Sequence, residues 1–223
     1  NQAWGLYGLG HNQLMLGDTN EAIRLIEASI NIPMKNADDK ILNTSRFGAL
    51  SLAYQRAGNN ELALENILAH QRHSPAKPGL SSTMHEYGPV CDATINIWKD
   101  IQVGQFQTTA SQKRALELIF HKIPIITKAL NLLAINKARC NLYNGIYLNL
   151  TGRIKSAEVE FRKCIELAER HRQPYDLGRA HYELGLILNG QTGRDHLIKA
   201  YKFFEETKTP YEKELAKIAL ETQ

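Results

Sequence analysis

One phrase occurs three times along this chain. Leu16-Gly17-Asp18-Thr19-Asn20-Glu21-Ala22-Ile23 returns as Ala57-Gly58-Asn59-Asn60-Glu61-Leu62-Ala63-Leu64, and again as Thr151-Gly152-Arg153-Ile154-Lys155-Ser156-Ala157-Glu158. Each copy has a glycine after an apolar stretch and an alanine five residues later. That order predicts a helix, a tight turn, and a second helix whose small alanine lets it pack closely on the first. Self-similarity at a fixed period marks a solenoid, because one helical pair cannot bury its apolar face alone. A solenoid of helical hairpins offers a surface rather than a catalytic pocket.

The intervals set the array. Gly17 to Gly58 and Ala22 to Ala63 are each 41 residues, Gly145 to Gly185 is 40, and Gly58 to Gly152 is 94, or two steps of 47. A diverged hairpin is therefore expected between the second and third clear copies. Helices are expected near 2–16 and 19–31, 40–57 and 60–73, 81–103 and 109–121, 123–151 and 154–171, and 174–189 and 194–207. A terminal helix over 211–222 would carry Leu215, Ile218 and Ala219 on its apolar face. Ile23, Ile26 and Ile30 share one face of their helix. Pro33 ends that helix, and Ser74-Pro75-Ala76-Lys77-Pro78-Gly79 forms a loop. No window alternates as a strand does.

The 223 residues are long for one globular core but natural for a stack of helix pairs. The formal charge of +4 is too small to point to nucleic acid. Residues 1–70 hold five Lys/Arg and seven Asp/Glu, leaving −2 there and +6 in the remainder. That excess is interleaved with Glu158, Glu160, Glu166 and Glu169, as on a solvated helical face. No stretch approaches the apolar run that spans a bilayer. Cys91, Cys140 and Cys164 form no Cys-x-x-Cys pair, so neither a disulfide framework nor a zinc site is expected. Free thiols in apolar helices suit a reducing, cytoplasmic setting, where the sequons at Asn43 and Asn149 are chance matches. The chain starts at Asn1 without a methionine or a signal-like segment, so missing targeting information carries little weight.

The repeats resemble the tetratricopeptide family. Leu9-Gly10, Gly17 and Ala22 match its small-residue positions, as do Tyr54, Gly58 and Ala63, and Gly145, Gly152, Ala157 and Phe161. Ser51 stands where glycine is usual. The second half carries a narrower resemblance, through Phe120-His121-Lys122-Ile123-Pro124-Ile125, Ala168-Glu169-Arg170, Gln173-Pro174-Tyr175, Arg179-Ala180-His181-Tyr182-Glu183-Leu184-Gly185 and Arg194-Asp195-His196-Leu197-Ile198-Lys199-Ala200. This order looks like the C-terminal repeats of multidomain signalling proteins. Those carry a class III adenylate/guanylate cyclase or protein kinase domain followed by an ATPase of the AAA/STAND type. The resemblance implies an all-α, right-handed α-α superhelix over 1–223. It would comprise about five hairpins (clear at 2–31, 40–73, 140–171 and 174–207, diverged at 81–121) plus the terminal helix at 211–222. The matched residues are of packing type, so nothing catalytic transfers.

The chemistry-bearing residues give the same expectation. His70 and His73 lie three apart on a helix but have no third ligand nearby and stand beside Pro75, which reads as a helix end rather than a metal site. Gly5, Gly8 and Gly10 lack the strand and spacing of a dinucleotide fingerprint and are expected to let their helix approach a neighbour. Tyr7, Tyr54, Tyr87, Tyr143, Tyr147 and Tyr182 fall on first helices, which line the concave groove of a tetratricopeptide superhelix. Most of these rings should pack between helices. The expected partner-binding groove is Tyr54, Asn144, Tyr147 and His181. The expected function is non-catalytic: a protein-protein interaction and sensor module without catalytic residues, cofactor or metal. It would bind a protein or peptide segment, or an adjacent domain of its parent chain, and neither nucleic acid nor membrane. The alternative is a free-standing peptide-binding adaptor or regulator.

Overall fold

The computed structural model describes residues 2–32, 38–74 and 84–222, with side chains from 41 in the second stretch and from 86 in the third. The described residues are all-α, with twelve α-helices, one short 3-10 helix and no strand. None of these helices is long and apolar enough to cross a membrane. The chain divides into two compact units, Asn1–Ile126 and Thr127–Gln223.

The first unit begins with α1 (Gln2–Leu16) packed on α2 (Thr19–Ile30), then α3 (Asp38–Arg56) on α4 (Asn60–His73). Next come α5 (Met84–Gln102), which packs mainly on α3, and α6 (Ala110–Phe120). Leu14, Ala22, Leu52, Ala63, Leu64 and Ile67 join Ala93, Ile97 and Leu116 in one buried cluster, so α5 and α6 complete the core of the second hairpin. Pro89 lies inside α5, where it cannot donate to the carbonyl one turn back. α7 (Ile123–Leu130) straddles the division between the units.

The second unit holds two hairpins, α8 (Lys137–Leu150) on α9 (Ile154–Arg170) and α10 (Pro174–Ile187) on α11 (Gly190–Glu206), closed by α12 (Pro210–Thr222) on α11. The expected helix over 123–151 is in fact two. Leu133 adopts an extended conformation before the 3-10 turn Ala134–Asn136. The Asn136 side chain, buried there, donates to the Leu130 carbonyl at 3.0 Å and satisfies the end of α7. On α12 the buried face is Glu212, Ala216 and Ala219, while Ile218, expected on that face, is 49% exposed.

One turn closes helix after helix. After α1 the Gly17 N–H donates to the Leu14 carbonyl and the Asp18 N–H to the Gln13 carbonyl, with Gly17 at φ +89°. This is the Schellman arrangement, which ties down the last carbonyls of a helix through one residue in the left-handed region. The same two bonds recur around Gly58, Gly104 and Gly152. They recur once more at Arg172 and Lys208, both at φ +54°. The hairpin diverged in sequence thus keeps the turn at Gly104, and two further copies use no glycine at all. Asp18 and Asn59 then cap the following helices, accepting from the Glu21 and Leu62 N–H groups at 3.1 Å.

A second regularity lies inside the hairpins. Gly10, Gly145 and Gly185 each stand twelve residues before a buried residue of the facing helix, Ala22, Ala157 and Leu197, and each lies tight against that helix. A Cβ on Gly10 would stand 2.6 Å from Ile26 Cγ1, one on Gly145 would run into the Phe161 ring, and one on Gly185 would meet Leu197 Cγ at 2.6 Å. In the second hairpin Ser51 takes the glycine's place, turning its hydroxyl back to the Gly48 carbonyl at 2.7 Å. The glycines of α1 differ among themselves. Gly10 lies against α2, but a Cβ on Gly5 or Gly8 meets nothing within 4 Å, so those two serve no close approach.

Candidate functional site

The four residues expected to line a groove stand in different settings. Tyr54, half-buried in the first unit, packs against both core clusters there and donates a hydrogen bond to Glu27 Oε1. Partial burial, reinforced by that carboxylate, pushes its phenol up to about 12. The other three belong to the second unit. Asn144 and Tyr147 lie one turn apart on α8, both half-buried. Asn144 Oδ1 accepts from the Thr127 hydroxyl at 2.6 Å, and the Arg153 guanidinium lies 5.9 Å from the centre of the Tyr147 ring. Both keep part of their surface exposed beside these contacts.

His181 faces its own hairpin instead. It is 6% exposed on α10, its ring stacks on Phe203 of α11, and its Nδ1 lies 2.7 Å from Nδ1 of His196. Two ring nitrogens at that distance share one proton, so one imidazole donates and the other accepts. Burial, then the neighbouring His196, holds His181 down to about 4; burial also lowers His196. Both rings are therefore neutral at pH 7. The partnership with His196, fifteen residues away, carries no signal in the local sequence. It arises because α10 and α11 pack face to face.

The second unit also holds a polar cluster that the sequence reading did not single out. The Arg139 guanidinium of α8 pairs with the buried Asp176 carboxylate of α10 and lies 4.9 Å from the centre of the Tyr175 ring. The Tyr175 hydroxyl donates to Glu212 Oε1 of α12 at 2.9 Å and accepts from Arg179 at 3.3 Å. Burial works against the Arg139 charge, but Asp176 overrides it and the guanidinium is held more firmly protonated. A charge pair and a phenol-carboxylate bond thus link α8, α10 and α12. Spacing in the sequence does not reveal such a link, since its members lie 37 residues apart.

The remaining reactive groups are packed away. Burial pushes the Cys140 thiol up to about 12 and raises Cys164 as well, which leaves both as protonated, apolar filling. His70 is buried edge-on against Tyr87 and held at about 4, first by burial and then by His73, whose ring stacks on Phe47. Among the described residues no group of three or more His, Cys, Asp or Glu is placed to hold a metal ion. Of the six first-helix tyrosines, Tyr7, Tyr87 and Tyr143 are core, while Tyr54, Tyr147 and Tyr182 keep part of their surface. Compared with protein-family models, curated proteins and solved structures, the chain matches none.

Proposed function

We propose that this chain is a non-catalytic interaction and sensor module, a right-handed superhelical stack of tetratricopeptide-like hairpins. On this reading it is the C-terminal part of a multidomain signalling protein with a cyclase or kinase domain and an ATPase domain. The observation that carries the reading is a recurring packing solution: Gly10, Gly145 and Gly185 on first helices lie tight against the facing helix, and in the α1–α2 and α8–α9 hairpins a Schellman turn joins the two helices. Repeats built this way share their stabilising contacts with their neighbours and leave polar and aromatic edges on the first helices for a partner. Tyr54, Asn144 and Tyr147 are such edges, each held by an intramolecular contact that lowers the entropy cost of binding. A partner bound to a stack of this kind biases an attached domain through small changes in hairpin packing.

Selection of peptides from a random library on the immobilised chain tests the reading. Alanine at Tyr54, Asn144 or Tyr147 should weaken a selected peptide about tenfold, roughly 1.4 kcal/mol, with little change in melting temperature. His181 is left out because it is buried against α11 and its replacement would report on folding. Unchanged affinity in all three variants would place binding elsewhere, and nucleotide turnover by the purified chain would overturn the non-catalytic reading. A phosphate-binding loop and cyclase motifs encoded upstream of Asn1 would support the multidomain parent; a start codon immediately before it would support a free-standing adaptor.

A further inference from the structure

The first unit contains a cavity that the packing of its helices leaves unfilled. It measures about 90 Å³ and opens to solvent on one side. The end of α4 contributes His70, Gln71 and Ser74; α5 contributes Tyr87, Val90, Cys91 and Thr94; Ile119, Lys122, Ile123, Ile125 and Ile126 complete the wall. The lining is chiefly apolar, with Val90 and four isoleucines, and its space is smaller than the engineered cavity of about 150 Å³ that takes up benzene, which suits a short alkyl chain.

Charge gives this cavity a chemical preference. Lys122 is the only lining residue with a formal charge at pH 7, since His70 is held neutral by its burial. Lys122 is exposed at the start of α7, where the positive end of the helix dipole adds to its ammonium. His70 and Ser74 contact each other across 3.1 Å and are largely committed to one another.

We propose that this cavity binds a small amphipathic monocarboxylate, a compact apolar body of about six carbons with an anionic head. The body fills the space between Val90, Ile119, Ile123 and Ile126, and the carboxylate lies at the open side against Lys122. An anion is favoured over a cation because no carboxylate lines the cavity, and over a neutral molecule because the charge at the mouth is otherwise unanswered. This site goes beyond the interaction surface proposed above and does not depend on it: a ligand here stiffens the junction of α4, α5 and α6 inside the first unit.

Titration calorimetry with hexanoate, and with hexanamide as its uncharged counterpart, tests the proposal on the whole chain. Hexanoate should bind saturably at one site and more tightly than hexanamide. Lys122→Gln, a change at an exposed position, should weaken hexanoate about tenfold and leave hexanamide unchanged. Ile126→Phe, which fills the cavity, should abolish both. Equal binding of hexanoate to the wild type and Lys122→Gln would overturn the anionic assignment. Failure of hexanoate to saturate by about 10 mM would overturn the site.

Discussion

At the scale of the residue, the closest contacts are made by the smallest side chains. Gly145 lies under the Phe161 ring with no room for a methyl group, whereas Gly8, on the same kind of helix, has none of its space contested. The two glycines should therefore respond to alanine in opposite ways. Gly145→Ala is expected to destabilise by about 1–3 kcal/mol through overpacking. Gly8→Ala is expected to stabilise by about 0.5–1 kcal/mol because it relieves the entropic cost of glycine in a helix. Chemical denaturation of both variants checks this, and a stabilised Gly145→Ala would mean that the Phe161 contact is not as tight as the structure has it.

The buried imidazoles make a second residue-scale statement. His70 and His181 are held near 4 against an unfolded value of about 6.5, so the folded chain binds fewer protons than the unfolded chain between those values. Their stabilising contribution is complete above about pH 6.5 and is lost as the pH falls towards 4. Unfolding free energy measured at pH 7 and pH 5 should drop by about 1–2 kcal/mol per ring. Replacing His181 with glutamine should reduce that drop, and an unchanged pH dependence in the variant would show that the ring is not held neutral.

At the scale of the element, the helix ends carry the regularity. Six described helices close with the same pair of hydrogen bonds, and in four of them the left-handed residue is glycine. Arg172 and Lys208 hold that conformation with a Cβ, at a cost of about 1–2 kcal/mol that glycine avoids. Arg172→Gly and Lys208→Gly, both at exposed positions, should each raise stability by about 0.5–1 kcal/mol, with Gly152→Ala lowering it by a similar amount. Thermal melts of the three variants are the measurement, and a fall in the first two would contradict the turn assigned to them. The glycine phrase made the turns at Gly17, Gly58 and Gly152 legible in advance. The turns at Arg172 and Lys208 were not, because their geometry is imposed by the helices on either side. The break between α7 and α8 was hidden for a related reason: Lys128 to Lys137 reads as continuous helix until the Asn136 side chain is seen to close α7.

At the scale of the whole molecule, each unit is joined by contacts that skip from one hairpin to the next. In the second unit the Arg139–Asp176 pair bridges α8 and α10, and Gln173 reaches back to the Ile135 carbonyl at 2.9 Å. Asp176→Ala would strand a guanidinium that has no other ion-pair partner among the described residues, and should cost about 3 kcal/mol. If denaturation shows a loss well under 1 kcal/mol, the pair is solvated and the two hairpins are held by their apolar seam alone.

The sequence by itself determined the helical class, the principal hairpins and the turns marked by glycine. These depend on neighbours close along the chain: apolar spacing, a residue free to adopt positive φ, and a small residue where two helices cross. Only the tertiary structure decided that His181 pairs with His196, that Tyr54 answers Glu27, and that Gly10 is a contact while Gly5 and Gly8 are not. It also decided that α4, α5 and α6 meet imperfectly around Thr94. Each of these joins residues on different helices, and the rotation and offset with which two helices pack are set by every side chain between them.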